Sequence, residues 1–152
     1  MQASSLQLDN SAITRLKIEA NKSFPKDRAK DRFLHFADAG LESTVELGSD
    51  ADDPRRFFVK LDMRMLGTEE HPTPYAVDVE IVGIFVCTGS NPNNDEKLAE
   101  INGAAVLYGS IREVVLQITS RGPYPPLIMP TVNFIPPEID LNSDGIKVEG
   151  KT

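Results

Sequence analysis

Residues Val106–Phe134 read VLYGSIREVVLQITSRGPYPPLIMPTVNF, and this stretch decides how the rest of the chain is organised. Its first half is apolar at Leu107, Tyr108, Ile111, Val114, Val115 and Ile118, the i, i+3, i+4, i+7 spacing that lays one face of a helix on a core. Arg112, Glu113 and Gln117 cover the opposite side. The spacing predicts a long helix over 104–121. Gly122 is expected to cap it in the left-handed conformation, and Pro123 forbids continuation. Pro123, Pro125, Pro126, Pro130, Pro136 and Pro137 then impose an extended chain that cannot serve as an inner strand.

Working back towards the N-terminus, four segments alternate with a period of two, the mark of a sheet with one wet face. Leu16, Ile18 and Ala20 oppose Arg15, Lys17 and Glu19. Leu41, Val45 and Leu47 oppose Glu42, Thr44 and Glu46. Phe57, Val59, Leu61, Met63 and Met65 alternate with Arg56, Phe58, Lys60, Asp62 and Arg64. Val77, Val79, Ile81 and Phe85 oppose Asp78 and Glu80. The last strand turns apolar on both faces over 81–87, which predicts a half-exposed start and a fully covered end. Gly83 within it predicts a bulge or a close backbone approach. Residues 24–40 read as a helical turn or an irregular crossover. A short helix is expected from Asn94, with Leu98 and Ile101 as its stripe and Asn102-Gly103 as its stop.

Composition narrows the function classes. The chain has 152 residues, enough for one domain with a real core. The expected division is a single domain over 1–134 and an extended polar tail over 135–152. A formal net charge of -7 disfavours nucleic acid and anionic membranes as partners. One cysteine, Cys87, permits no internal disulfide and fits a reducing compartment. There is no basic and apolar leader pattern at the N-terminus and no apolar run of about 20 residues, so a cytoplasmic location is expected.

Chemistry-bearing clusters are sparse. Cys87 lies in an apolar strand and reads as a packed small hydrophobe. His71 falls in a polar loop, and His35 is flanked by Leu34 and Phe36. No spacing suits a metal, a nucleotide loop or a catalytic pair, so neither a cofactor nor enzymatic activity is expected. What remains is apolar surface: Phe24, Tyr124, Leu127, Ile128, Met129 and Phe134 all lie in irregular segments. Such residues either cover a core or line an adaptable groove, and composition alone favours the cover.

The order Gly83-Ile84-Phe85, Leu107-Tyr108, Ile111-Arg112-Glu113, Ser120-Arg121-Gly122, Tyr124-Pro125-Pro126-Leu127 and Val132-Asn133-Phe134 resembles the signature of the SecB family of protein-export chaperones. The resemblance covers the C-terminal third well and fits the strand order elsewhere. It implies an α+β fold, a four-stranded antiparallel sheet with one long helix on a face. It also implies a dimer of dimers in which helices carrying Leu107, Tyr108, Ile111, Val115 and Ile118 are sandwiched between sheets. The implied activity is that of an ATP-independent holdase, which keeps unfolded preproteins competent for export and delivers them to SecA. Client contacts would include Tyr124, Leu127, Met129 and Phe134, with Phe85 nearby, and SecA would dock on an acidic sheet face that includes Glu19 and Asp78. The chain departs from the pattern in three places. Gly109 replaces a usual proline, Arg15 stands where a carboxylate is expected, and Ile135-Pro136-Pro137 blocks the usual C-terminal helix. These mark a divergent, SecB-like member, and some relatives of that kind protect the antitoxin of a toxin–antitoxin system instead. A non-catalytic structural oligomer is the reading from another class.

Overall fold

The computed structural model describes residues 1–27, 40–89 and 92–134. Four strands form one antiparallel sheet: β1 (Leu6–Ala20), β2 (Leu41–Ser49), β3 (Arg56–Met65) and β4 (Tyr75–Cys87), in the spatial order β1-β4-β3-β2. A short helix α1 (Pro92–Leu98), a π-helical turn (Ala99–Gly103) and the long helix α2 (Ala104–Thr119) follow. The predicted α+β architecture is the one observed. The crossover expected within 24–40 falls mostly outside the described residues, as do His35 and the tail from residue 135.

The two strands with the most buried apolar rows, β3 and β4, take the centre, and the more exposed β1 and β2 take the edges. Their inward rows, Phe57, Val59, Leu61, Met63 and Met65 with Tyr75, Val77, Val79, Ile81, Phe85 and Cys87, form the core against Leu107, Tyr108, Ile111 and Val115 of α2. The outward row of β4 stays half-buried throughout. The full cover expected at its end is therefore not found. Val82, Ile84 and Val86 are flanked by Phe58, Ala12 and Gln7 across the strands, with no described helix on that side.

Two local expectations are corrected, at Gly103 and Gly122, and at Gly83 the second of two expected roles, a close approach, is the one found. Asn102-Gly103 does not end a helix, because Gly103 is itself helical and the chain runs through the π turn into α2. A Cβ at Gly103 would lie 3.0 Å from Val59 and 3.3 Å from the Phe85 ring, so its glycine lets the helix approach the sheet. Gly83 serves the same approach, its missing Cβ falling 2.7 Å from Phe85 and 2.8 Å from Leu107, while the bulges lie in β1, at Leu8/Asn10 and Ile13/Arg15. Gly122 does not adopt a positive φ. The helix ends at Thr119 in a tightening turn, with the Ser120, Arg121 and Gly122 N–H groups bonded to the Leu116, Ile118 and Thr119 carbonyls, and Gly122 is present because the Tyr75 side chain passes over it.

Candidate functional site: a strapped sheet face and its two edges

Residues 122–134 have no strand or helix partner, yet their backbone is held. The Tyr75 hydroxyl accepts from the Tyr124 N–H at 3.0 Å and donates to the Tyr124 carbonyl at 2.9 Å. Thr119 Oγ1 donates to the Val115 carbonyl at 2.7 Å and accepts from the Leu127 N–H at 2.9 Å. Arg112 Nε donates to the Met129 carbonyl at 3.1 Å, and the Tyr108 hydroxyl to that of Pro130 at 2.8 Å. Side chains of β4 and α2 thus supply the partners that a ladder would otherwise provide, which a buried backbone requires. Burial pushes the Tyr108 hydroxyl up to about 12, with Arg112 opposing. The segment works as a strap, tied to the helix along its length. Its ends carry aromatic pairs: Tyr124 with Phe24 and Tyr75, and Phe134 with Tyr108.

The strap fixes where the expected client contacts lie. Phe85, Leu127 and Met129 are buried core residues, none above 2% exposed, and Tyr124 and Phe134 are half-buried. The first three therefore cover the core in this conformation. Of the residues expected between oligomerised helices, Leu107, Tyr108, Ile111 and Val115 pack on the chain's own sheet; Ile118 is exposed. The apolar side chains that face out include Leu8, Ile13 and Leu16 on β1, Val106, Leu116 and Ile118 on α2, and Ile128 on the strap, besides Met1, Phe58 on β3 and Leu66 just after it. By register, Leu8, Ile13 and Leu16 share the helix-bearing face of the sheet with Phe85, Ile81 and Val79.

The opposite face is ionic at its centre. The Arg15 guanidinium reaches Asp62 at 2.6 Å, Asp78 at 2.8 Å and Glu80 at 3.5 Å, spanning β1, β4 and β3. The hydrogen bonds it donates to Asp62 and Asp78 hold its charge on more firmly than usual. Arg64 adds a second contact to Asp78 at 3.5 Å. Of the two residues expected to dock SecA, Asp78 is thus occupied by Arg15, whereas Glu19 is exposed beside Lys17. Near β2 a shallow concavity of about 320 Å³ is lined by Glu42, Ser43, Thr44, Glu46, Asp62 and Arg64; of its carboxylates, Asp62 is held by Arg15 and Glu46 pairs with Lys60 at 2.7 Å.

Elsewhere the chemistry is quiet. Cys87 is buried, burial and then Asp95 push its thiol up, and its nearest partner is the Asp95 carbonyl at 3.9 Å. His71 is exposed in a loop closed by its own backbone on Thr68. Among the described residues no group of three or more His, Cys, Asp or Glu could hold a metal ion, and no helix is long and apolar enough to cross a membrane.

Sequence reading missed Tyr75, Thr119 and Arg112 as the anchors of the strap. Each lies far along the chain or in a different element from the backbone it holds, so no local pattern reveals it. The three-strand reach of Arg15 was recoverable only from the pairing register.

Comparison with known proteins follows the fold. Residues 17–136 match the family model described as preprotein translocase subunit SecB. The protein-export protein SecB of Acinetobacter baylyi is 31% identical over 98 residues, 61% of this chain and 63% of that protein. That of Ehrlichia canis is 28% identical over 68 residues, 40% of this chain and 38% of its own. The chain thus spans less than two thirds of the length of these relatives. A SecB-like chaperone of Mycobacterium tuberculosis, solved in complex with a ChAD peptide from the HigA1 antitoxin, superposes with a TM-score of 0.58 at 19% identity, covering 84% of this chain and 90% of that one. It shares the fold.

Proposed function

The chain belongs to the SecB family, and from that premise we propose that it is an ATP-independent holdase. It binds unfolded or preprotein polypeptides through apolar surface, acts in the cytoplasm without cofactor or catalysis, and assembles into a dimer or tetramer. The observation that carries the reading is the incomplete cover of the sheet: Leu8, Ile13 and Leu16 extend the core row of β4 into solvent, and Val106, Leu116 and Ile118 of α2 are bare. A compact protein gains about 25 cal/mol for each Å² of such surface removed from water, so these rows favour partners, either copies of the chain or unfolded polypeptide. Phe85, Leu127 and Met129 join a client site when the strap lifts. Tyr124 and Phe134 flank it at either end.

Export through SecA is the broader version of this role, with Glu19 and Asp78 as docking residues. Asp78 docks a basic partner only in exchange for Arg15. Protection of an antitoxin is the second version, favoured by the antitoxin peptide carried by the Mycobacterium tuberculosis protein of the same fold. The test is refolding of a slow-folding, chemically denatured preprotein with stoichiometric protein and no nucleotide. Arrest, with tight binding to the unfolded form alone, supports the holdase. Unchanged refolding together with unchanged aggregation of an antitoxin client overturns both versions and leaves a structural oligomer.

A further inference from the structure

Arg15 owes its place to an irregularity in β1. Ala12 faces Val82 and Ile13 faces Ile81, but the next pair is Arg15 with Glu80, and Thr14 is left without a partner. Continued without that shift, the register would set Arg15 opposite Val79, in the core row. One extra residue therefore turns the charge to the outer face, a re-aiming that bulges perform. The Thr14 hydroxyl donates to Glu80 Oε1 at 2.6 Å, across the same shift. Once outside, the guanidinium uses all three of its nitrogens. Nε donates to Asp78 at 2.9 Å, one terminal nitrogen donates to Asp62 at 2.6 Å, and the other reaches Glu80 at 3.5 Å. Lysine, a point charge on a flexible stem, has no such fork. Around this centre Arg64 adds to Asp78 at 3.5 Å and faces Glu42 across the strands, Glu46 pairs with Lys60 at 2.7 Å, and Glu19 pairs with Lys17 at 3.7 Å.

We infer that Arg15 is a specificity-determining residue: it fills the anionic centre of the outer face from within the chain and so excludes basic partners from it. The class refused is an exposed arginine- or lysine-rich segment, whose cations would have to take the contacts that Arg15 holds. The three carboxylates keep 23–29% of their side chains exposed, so a partner is barred by occupancy and not by burial. A group tethered beside its site competes at an effective concentration on the order of millimolar. A free segment at micromolar concentration, matching Arg15 contact for contact, is therefore outcompeted by about three orders of magnitude. With Arg15 in place the carboxylates are no open cation site, and partner choice falls to the apolar rows of the helix-bearing face. The inference rests on the proposed function for its consequence alone, which is to separate the two versions. Docking of a basic partner through Asp78 requires that carboxylate free, and protection of a dedicated client does not.

The test uses the intact chain and a short synthetic peptide of alternating arginine and glycine. With the wild-type chain, titration at low salt should leave the Arg15 Nε–H resonance and the carboxylate resonances of Asp62 and Asp78 unmoved. Arg15→Ala should gain saturable binding, about three- to thirtyfold tighter than the wild type, the worth of two or three partly exposed ion pairs set free. The gain should shrink as salt rises and vanish when Asp62→Asn and Asp78→Asn are added. Arg15→Lys, which keeps the charge and loses the fork, should fall between the two. Amide exchange of β3 and β4 reports whether each variant keeps its sheet, and the Arg15 Nε–H reading needs no variant at all. Displacement of Arg15 by the peptide in the wild-type chain overturns the proposal. So does equal affinity of the wild type and folded Arg15→Ala, or a gain that survives the loss of both carboxylates. The refolding assay is read separately. Arrest together with displacement of Arg15 keeps the holdase and sinks the exclusion, whereas no arrest with Arg15 undisturbed keeps the exclusion and sinks the holdase.

Discussion

A methyl group on Gly122 would be driven into the Tyr75 hydroxyl and lie 2.8 Å and 2.9 Å from two of its ring carbons. That hydroxyl ties the start of the strap to β4, so relieving the clash means releasing the tie. Gly122→Ala should cost about 1–3 kcal/mol, the range for overpacking a filled site, read as a lower denaturant midpoint in urea. The glycine was visible in the sequence, but its reason was not: a helix stop and a side-chain overpass leave the same letter. Tyr108 gives a second prediction. Its folded-state value, about 12, lies above the ordinary tyrosine value, so folding retains the proton. The contribution is whole below the unfolded value and is lost as pH rises through the folded one. Thermal stability should therefore fall between about pH 10 and 12, and Tyr108→Phe should flatten that decline. An identical decline in the variant would assign it to other groups.

At the scale of elements, periodicity did most of the work. The period-two rows of β3 and β4 and the 3.6 stripe of α2 were legible because each buries one face against a single partner. β1 was read only from Arg15 onward. Its first half, from Leu6 to Thr14, mixes Asn10, Ser11 and two bulges that break the alternation. The strap was legible as extended from its prolines, but its docked course depends on Tyr75, Thr119, Arg112 and Tyr108, which no spacing rule connects to it. Composition favoured core cover for the apolar residues of the strap, and Leu127 and Met129 provide it, while the exposure of Ile128 between them was not legible. Gly109 is the element-scale test. It sits inside α2 with open space where its Cβ would be, so Gly109→Ala should stabilise by about 0.5–1 kcal/mol. A loss of stability on that change would mean that another surface closes over this side of the helix.

For the whole molecule, the bare side chains of α2 point to self-association. Leu116→Glu with Ile118→Glu should leave the fold intact, because both residues are exposed, and should shift sedimentation to the monomer. A wild-type chain that already sediments as a monomer would remove the self-association proposal and leave these residues to clients. The acidic balance of the chain, a formal net charge of -7, is not spread evenly over the sheet: at the centre of the ionic face Arg15 stands against Asp62, Asp78 and Glu80, whereas towards β2 Glu42 and Glu46 lie across from Arg64 and Lys60. Composition disclosed the sign of the field but not its place, since place follows from which strands become neighbours.

The strand order also sets a timetable for synthesis. Leu6 finds its partner only in Cys87, and the inner face closes only when Leu127 and Met129 arrive. Pairings so distant in sequence form slowly, because a long loop must close before any contact rewards it. A nascent chain that has emerged past Cys87 but not yet past Met129 has all four strands of the sheet and no complete strap. During that interval on the ribosome, the growing protein exposes the surface proposed for its clients, and its own trailing segment is the first extended polypeptide to reach it.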